Sequence, residues 1–95
     1  MEITFRKTTD GGAFVIERDS ALVAEITWLD TQSGTLIAGH TFVDDSLRGQ
    51  GIARQLAVKL ADYARENGFK IRPDCSYVRA FLERETTYSD LIYHE

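Results

Sequence analysis

The chain has 95 residues, 43% of them hydrophobic. That suffices for one domain with a packed core and is too short for two, so the expected organisation is a single domain over 1–95. The formal net charge of −4 argues against a general nucleic-acid or anionic-membrane binder, which would carry a basic face. Cys75 is the only cysteine, which excludes an intrachain disulfide and a cysteine-rich zinc site. Met1 leads straight into an alternating pattern with no signal-like segment, and no apolar run has the length of a membrane span. The expectation is a soluble cytoplasmic protein without a metal centre.

Residues Glu2 to Thr9 alternate, with Ile3 and Phe5 on one face, as in a half-buried strand. Asp10-Gly11-Gly12 reads as a hairpin turn, and Ala13 to Arg18 as the second strand. Asp19-Ser20 makes another tight connection. Ala21 to Leu29 is the third strand, with Leu22, Ala24, Ile26 and Trp28 on one face. After the polar stretch Asp30 to Gly34, the fourth strand covers Thr35 to Val43. Four strands joined by short turns describe an antiparallel meander.

The period then changes. Ile52, Leu56, Leu60, Tyr63 and Ala64 share one side of a helix, and Val58 stands alone among polar neighbours on the other. Asn67-Gly68 is a stop signal. Phe69 to Arg72 can form a short fifth strand that Pro73 ends. Tyr77, Val78, Ala80, Phe81 and Leu82 recur at helical spacing, and Tyr88, Leu91 and Ile92 suggest a tail packed back on the body. The predicted order is β-β-β-β-α-β-α, an α/β fold with a mixed sheet whose last two strands are parallel.

Between the fourth strand and the first helix stands Leu47-Arg48-Gly49-Gln50-Gly51-Ile52-Ala53. A glycine turn feeding a helix N-terminus offers free N–H groups and the positive end of the helix dipole to an anion. A tight connection without a ligand explains the same residues. A Rossmann site does not fit, because the third glycine is missing and a meander precedes the turn. A Walker loop does not fit either, for want of a Gly-Lys-Ser/Thr ending. Arg48 and Arg54 can make a local basic spot here.

The run Val43 to Ala53 resembles motif A of the GNAT superfamily of acetyl-CoA-dependent N-acetyltransferases, R/Q-x-x-G-x-G/A, which Arg48, Gly51 and Ala53 fill. The pattern is similar in particular to a subfamily of short GNAT-like proteins. These carry a histidine-threonine pair before the turn (His40-Thr41) and a proline, one residue and a cysteine at the last helix (Pro73-Asp74-Cys75, then Tyr77). The likeness runs from His40 to Leu82. Asp45 stands where a proline is frequent, and Glu85-Thr86 where the short proteins usually have histidine-proline.

The resemblance implies that the fourth and fifth strands splay apart, and that the pantetheine arm of acetyl-CoA or CoA pairs with the fourth strand around Phe42 and Val43. It implies a pyrophosphate on Arg48, Gly49, Gln50, Gly51, Ile52 and Ala53. It makes Cys75 the candidate active residue beside the thioester. His40 is either a buried or half-buried strand residue, alternating with Leu36, Ala38 and Phe42, or a general base, a role that suits an imidazole side chain. Glu25, Tyr77 and Tyr88 are lesser candidates for proton transfer, and His94 lies near the end. GNAT enzymes mostly insert helices after the first strand, where this chain has only a hairpin. That implies an open acceptor side, suited to an exposed amine such as a protein lysine. The expected activity is acetyl transfer by a monomer or homodimer. The alternatives are a non-catalytic acyl-CoA-binding module and a Cys75-dependent acyl-CoA hydrolase or acyl carrier.

Overall fold

The computed structural model describes residues 2–94. Its elements are β1 (Thr4–Lys7), β2 (Gly11–Arg18), β3 (Ala21–Asp30), β4 (Thr35–Val43), α1 (Ile52–Glu66), β5 (Lys70–Pro73) and α2 (Ser76–Arg84). Short 3-10 turns occupy Asp45–Leu47 and Ser89–Leu91. The strands form one sheet in sequence order, antiparallel from β1 to β4 and parallel between β4 and β5. This is the predicted α/β order. Among the described residues no helix is long and apolar enough to cross a membrane.

Both helices pack on one face of the sheet. α1 buries Ile52, Leu56, Ala57, Leu60, Ala61 and Ala64, and α2 buries Val78, Phe81 and Leu82. They meet Ile16, Ala24, Ile26, Trp28, Leu36, Ala38 and Ile71 in a single cluster. Val58 is half-buried and shares a groove with Ile3. α1 stops at Asn67, with Gly68 at φ 73°, as Asn67-Gly68 predicts. The tail packs back as expected: Leu91 is buried, Tyr88 stacks on Phe81, and Ile92 bridges to Ile71. Arg65 clamps it by donating to both Asp90 carboxylate oxygens, at 3.1 and 3.0 Å, and to the Thr87 carbonyl at 2.6 Å.

Four local expectations are corrected. Gly11 and Gly12 lie inside β2, and the turn falls on Thr9-Asp10 instead. The Trp28 indole lies directly over Gly12, where a Cβ would collide with its ring. These glycines thus serve a close approach, not a turn. β1 is shorter than Glu2 to Thr9, and its four residues are all exposed. Phe5 nevertheless leans on Phe14 and Tyr63, with ring centroids 5.7 Å away in both cases.

The other two corrections are β-bulges, each of which adds one residue to a strand and reverses the alternation beyond it. In β3 the pairing steps from Ile16–Ala24 to Glu17–Leu22, so Val23 is the extra residue. Val23 packs on the core and Leu22 turns outward, 40% exposed. In β4 the pairing steps from Trp28–Ala38 to Thr27–His40, making Gly39 the extra residue. Leu36 and Ala38 point into the core, but His40 and Phe42 then point to the face the helices leave open. Thr41 and Val43 take the helix side.

Candidate functional site

β4 leaves the sheet through Asp44, whose carboxylate accepts from the Ser46 amide at 3.0 Å and the Ser46 hydroxyl at 2.6 Å. These bonds hold the Asp44 carboxyl below its ordinary range. Leu47 is buried and anchors the turn. The chain then crosses Gly49 at φ 79° and Gly51 at φ 71°, left-handed conformations that favour glycine. Gly51 caps α1 without a side-chain bond. The first helical bond runs from the Gln55 N–H to the Gly51 carbonyl, leaving the amides of Ile52, Ala53 and Arg54 at the open helix end. A Cβ at Gly49 or Gly51 would meet nothing within 4 Å, so the cradle is open space. A cavity of about 220 Å³ lies against it, lined by Val43, Arg48, Gly49, Gly51, Ala53 and Tyr77 among others.

Both arginines near the cradle are held by carboxylates. Arg48 Nε sits 2.9 Å from Asp45 Oδ1, with both side chains exposed. Arg54 makes a two-pronged bond to Glu85, at 3.0 and 2.8 Å, which pulls the Glu85 carboxyl below its usual range. Arg54 therefore ties α1 to the end of α2, and Asp45 and Glu85 offset the basic spot of Arg48 and Arg54. Asp45 competes with any anion for Arg48. Asp45→Asn is expected to tighten binding of a phosphate-bearing ligand by several-fold, less so at high salt, by calorimetry at two ionic strengths.

The slot beside this cradle follows from strand register. β4 and β5 pair only from Thr35–Lys70 to Ala38–Pro73. Beyond that β4 continues to Val43, while β5 turns away into α2. The pairing thus ends where β5 ends, and β4 runs on past it without a fifth-strand partner. The Asp44 N–H donates to the Val23 carbonyl at 2.8 Å. In an antiparallel ladder that alternation sends the Phe42 and His40 backbone groups to β3. Thr41 and Val43 are left with their N–H and C=O directed at the slot. Of the predicted pair, Val43 thus faces the cavity, while both the backbone and the side chain of Phe42 point elsewhere.

Cys75 is the N-cap of α2 and is half-buried. Its Sγ lies 3.3 Å from Thr41 Oγ1, across the gap between the strands. Asp74 next to it is held by Arg72 at 3.2 and 3.0 Å, and that guanidinium keeps the Asp74 carboxyl below its ordinary range. Arg72 thereby compensates the negative charge beside the thiol. Thr41 is the contact that sequence reasoning missed, since only the Gly39 bulge turns it toward Cys75.

His40 is exposed on the helix-free face, with Nε2 3.5 Å from Glu25 Oε1. The half-buried histidine of the simple alternation is therefore not found. Tyr77 lines the cavity. Tyr88 donates to Asp62 at 3.2 Å; burial first and that bond second raise the Tyr88 hydroxyl above its usual range. His94 is exposed at the tail.

A family model described as GCN5-related N-acetyl-transferase matches residues 13–91. The solution structure of a GCN5-like N-acetyltransferase candidate from Staphylococcus aureus is 30% identical. It covers 97% of this chain and 89% of that one, with a TM-score of 0.74. A ribosomal-protein-alanine N-acetyltransferase from Brucella melitensis is 23% identical at a TM-score of 0.61, over 94% of this chain and 67% of that one. A streptothricin acetyltransferase candidate from Bacillus anthracis, in complex with acetyl coenzyme A, is 13% identical at a TM-score of 0.60. The match covers 82% of this chain but only 47% of that one. The last two share the fold. The extent of the family match, together with the glycine cradle and the early end of β4–β5 pairing, gives the assignment: the chain belongs to the GCN5-related N-acetyltransferases.

Proposed function

We propose that this chain binds acetyl-CoA along the slot between β4 and α2 and transfers its acetyl group to an exposed amine. The observation that supports this is the end of β4–β5 pairing at Ala38–Pro73 beside an open glycine cradle, with a cavity lined by Val43 and Tyr77 next to it. In this reading the amides of Gly49 to Arg54 receive the pyrophosphate. The backbone groups of Thr41 and Val43 pair with the amides of the pantetheine arm. Acetyl-CoA supplies an activated thioester when bound. His40, supported by Glu25, takes the proton from the incoming ammonium on the helix-free face. The amine nitrogen then bonds to the carbonyl carbon, the carbon–sulfur bond breaks, and the nitrogen sheds its second proton to solvent while the leaving thiolate takes one up. β1 and β2 are joined by a two-residue turn, with no helix between them, so the acceptor side stays open to a lysine on a protein.

The Cys75–Thr41 contact favours a second reading, in which the thiol takes the acetyl group and passes it to an amine or to water. A module that binds acyl-CoA without turnover is a third. One experiment separates them. The protein is incubated with acetyl-labelled acetyl-CoA, with and without lysine peptides, then quenched in acid. Direct transfer predicts label on peptide and none on the protein, with Cys75→Ala still active. It also predicts that His40→Ala binds acetyl-CoA normally and loses about a hundredfold or more in rate at neutral pH. Acid-stable label that disappears in Cys75→Ala selects the covalent route. Binding without any labelled product selects the module.

A further inference from the structure

We propose that the free edge of β1 is a self-association surface, on which a second copy of this chain lays its own β1 antiparallel across a two-fold axis, fusing the two sheets. The two edges of the sheet are not alike. At β5 the tail closes the edge: Ile92 bridges to Ile71, and the Tyr93 N–H donates to the Ile71 carbonyl at 2.8 Å. At β1 nothing among the described residues covers the edge, and all four strand residues are exposed.

The hydrogen-bond phase of that edge follows from the hairpin. The Thr8 N–H donates to the Gly11 carbonyl at 3.2 Å, so Thr8 and Gly11 form a bonded pair. Alternation then makes Arg6–Ala13 and Thr4–Val15 the bonded pairs. The N–H and C=O groups of Ile3, Phe5 and Lys7 therefore point away from β2, with no strand partner among the described residues. The edge is short and carries two cations, Lys7 and Arg6, the latter reaching Glu17 of its own chain at 3.2 Å, but neither a proline nor a bulge blunts it. Its lysine folds back, with Lys7 Nζ 3.1 Å from the Gly11 carbonyl and 3.4 Å from Asp30. The edge is also apolar on its helix side, where Phe5 is 45% exposed and Ile3 is partly buried beside Val58.

Symmetry and charge select a second copy and one register. A two-fold axis normal to the sheet keeps each side chain on its own face, and the outward groups of Ile3, Phe5 and Lys7 must oppose one another. Centring the axis on Thr4 sets Ile3 against Phe5 of the second copy, twice, with their backbone groups paired. The same register sets Glu2 against Arg6 of the second copy, twice, on the open face. Centring on Phe5 removes both ion pairs, and centring on Arg6 opposes the two arginines. Directly opposed opposite charges stabilise a strand pair and like charges destabilise it. The slot beside β4 and β5 lies toward the other edge of the sheet, so each copy keeps it open.

The test is sedimentation equilibrium of the full chain from about ten micromolar to about one millimolar, a range suited to a small interface. The wild type is expected to show a concentration-dependent monomer–dimer equilibrium. Arg6→Glu and Glu2→Arg should each weaken the dimer about tenfold or more, and the double reversal should restore it. Slowed exchange of the Ile3 and Phe5 amides at high concentration reports the same contact independently of these substitutions. A wild type that stays monomeric throughout overturns the proposal. So does a dimer that both single reversals leave unchanged, or one that the double reversal fails to restore. Acetyl-CoA titration of the same variants should not change, which keeps this result apart from the proposed activity.

Discussion

Gly51→Val should lose acetyl-CoA binding by about a hundredfold or more, some 3 kcal/mol, while the protein still folds. Gly51 sits at φ 71° on the N-cap of α1, and a β-branched residue held there costs about 1–3 kcal/mol of strain. No neighbouring atom lies within 4 Å of the added Cβ, so strain and not collision is the cost in the free protein. The valine branch occupies the space through which an anion must approach the amides of Ile52 to Arg54. Strain alone is separated by Gly34→Val. Gly34 has φ 80° and equally open surroundings, but lies in the turn before β4. That variant should lose similar stability and keep full affinity. Calorimetry and thermal melts on the pair decide it: equal binding by wild type and Gly51→Val would remove the cradle from the site.

Gly11→Ala should destabilise the fold by about 3 kcal/mol or more, enough to threaten folding of so small a domain. The added methyl runs into the Trp28 carbonyl oxygen and comes within 2.8 Å of Leu29 Cα. Both belong to the neighbouring strand, which cannot withdraw without breaking the β2–β3 ladder. Gly39→Ala is the matched control, since a Cβ there meets nothing within 4 Å. It should stay within about 0.5 kcal/mol of wild type. Denaturant midpoints for the two variants give the comparison, and a neutral Gly11→Ala would mean the two strands are less tightly opposed.

These two glycines also mark where the sequence is informative and where it is not. Gly51 is legible because its role is local: a strand, a glycine turn and a fresh amphipathic helix are adjacent in the chain. The meander, α1, its Asn67-Gly68 stop and the packed tail are legible for the same reason, each written in a short-range period. Gly11 and Gly12 are misread as a turn because their purpose comes from Trp28, on another strand. The bulges at Val23 and Gly39 escape for a related reason. Each is a relation between two strands, and strict alternation carried through it puts Leu22, His40 and Phe42 on the wrong face. The Thr41–Cys75 contact depends on the Gly39 bulge and on β4 running on past β5, so periodicity alone could not reveal it. The splay was expected from resemblance to a family, and the register gives the point where β4–β5 pairing ends.

The central claim is that one ligand spans the cradle and the slot, and an amide-resolved NMR titration with acetyl-CoA tests it most directly. The account predicts saturable shifts of the Gly49 to Arg54 amides, together with those of Thr41 and Val43, all at a single affinity. Saturating shifts that spare the cradle amides, or no shifts at millimolar acetyl-CoA, would contradict it.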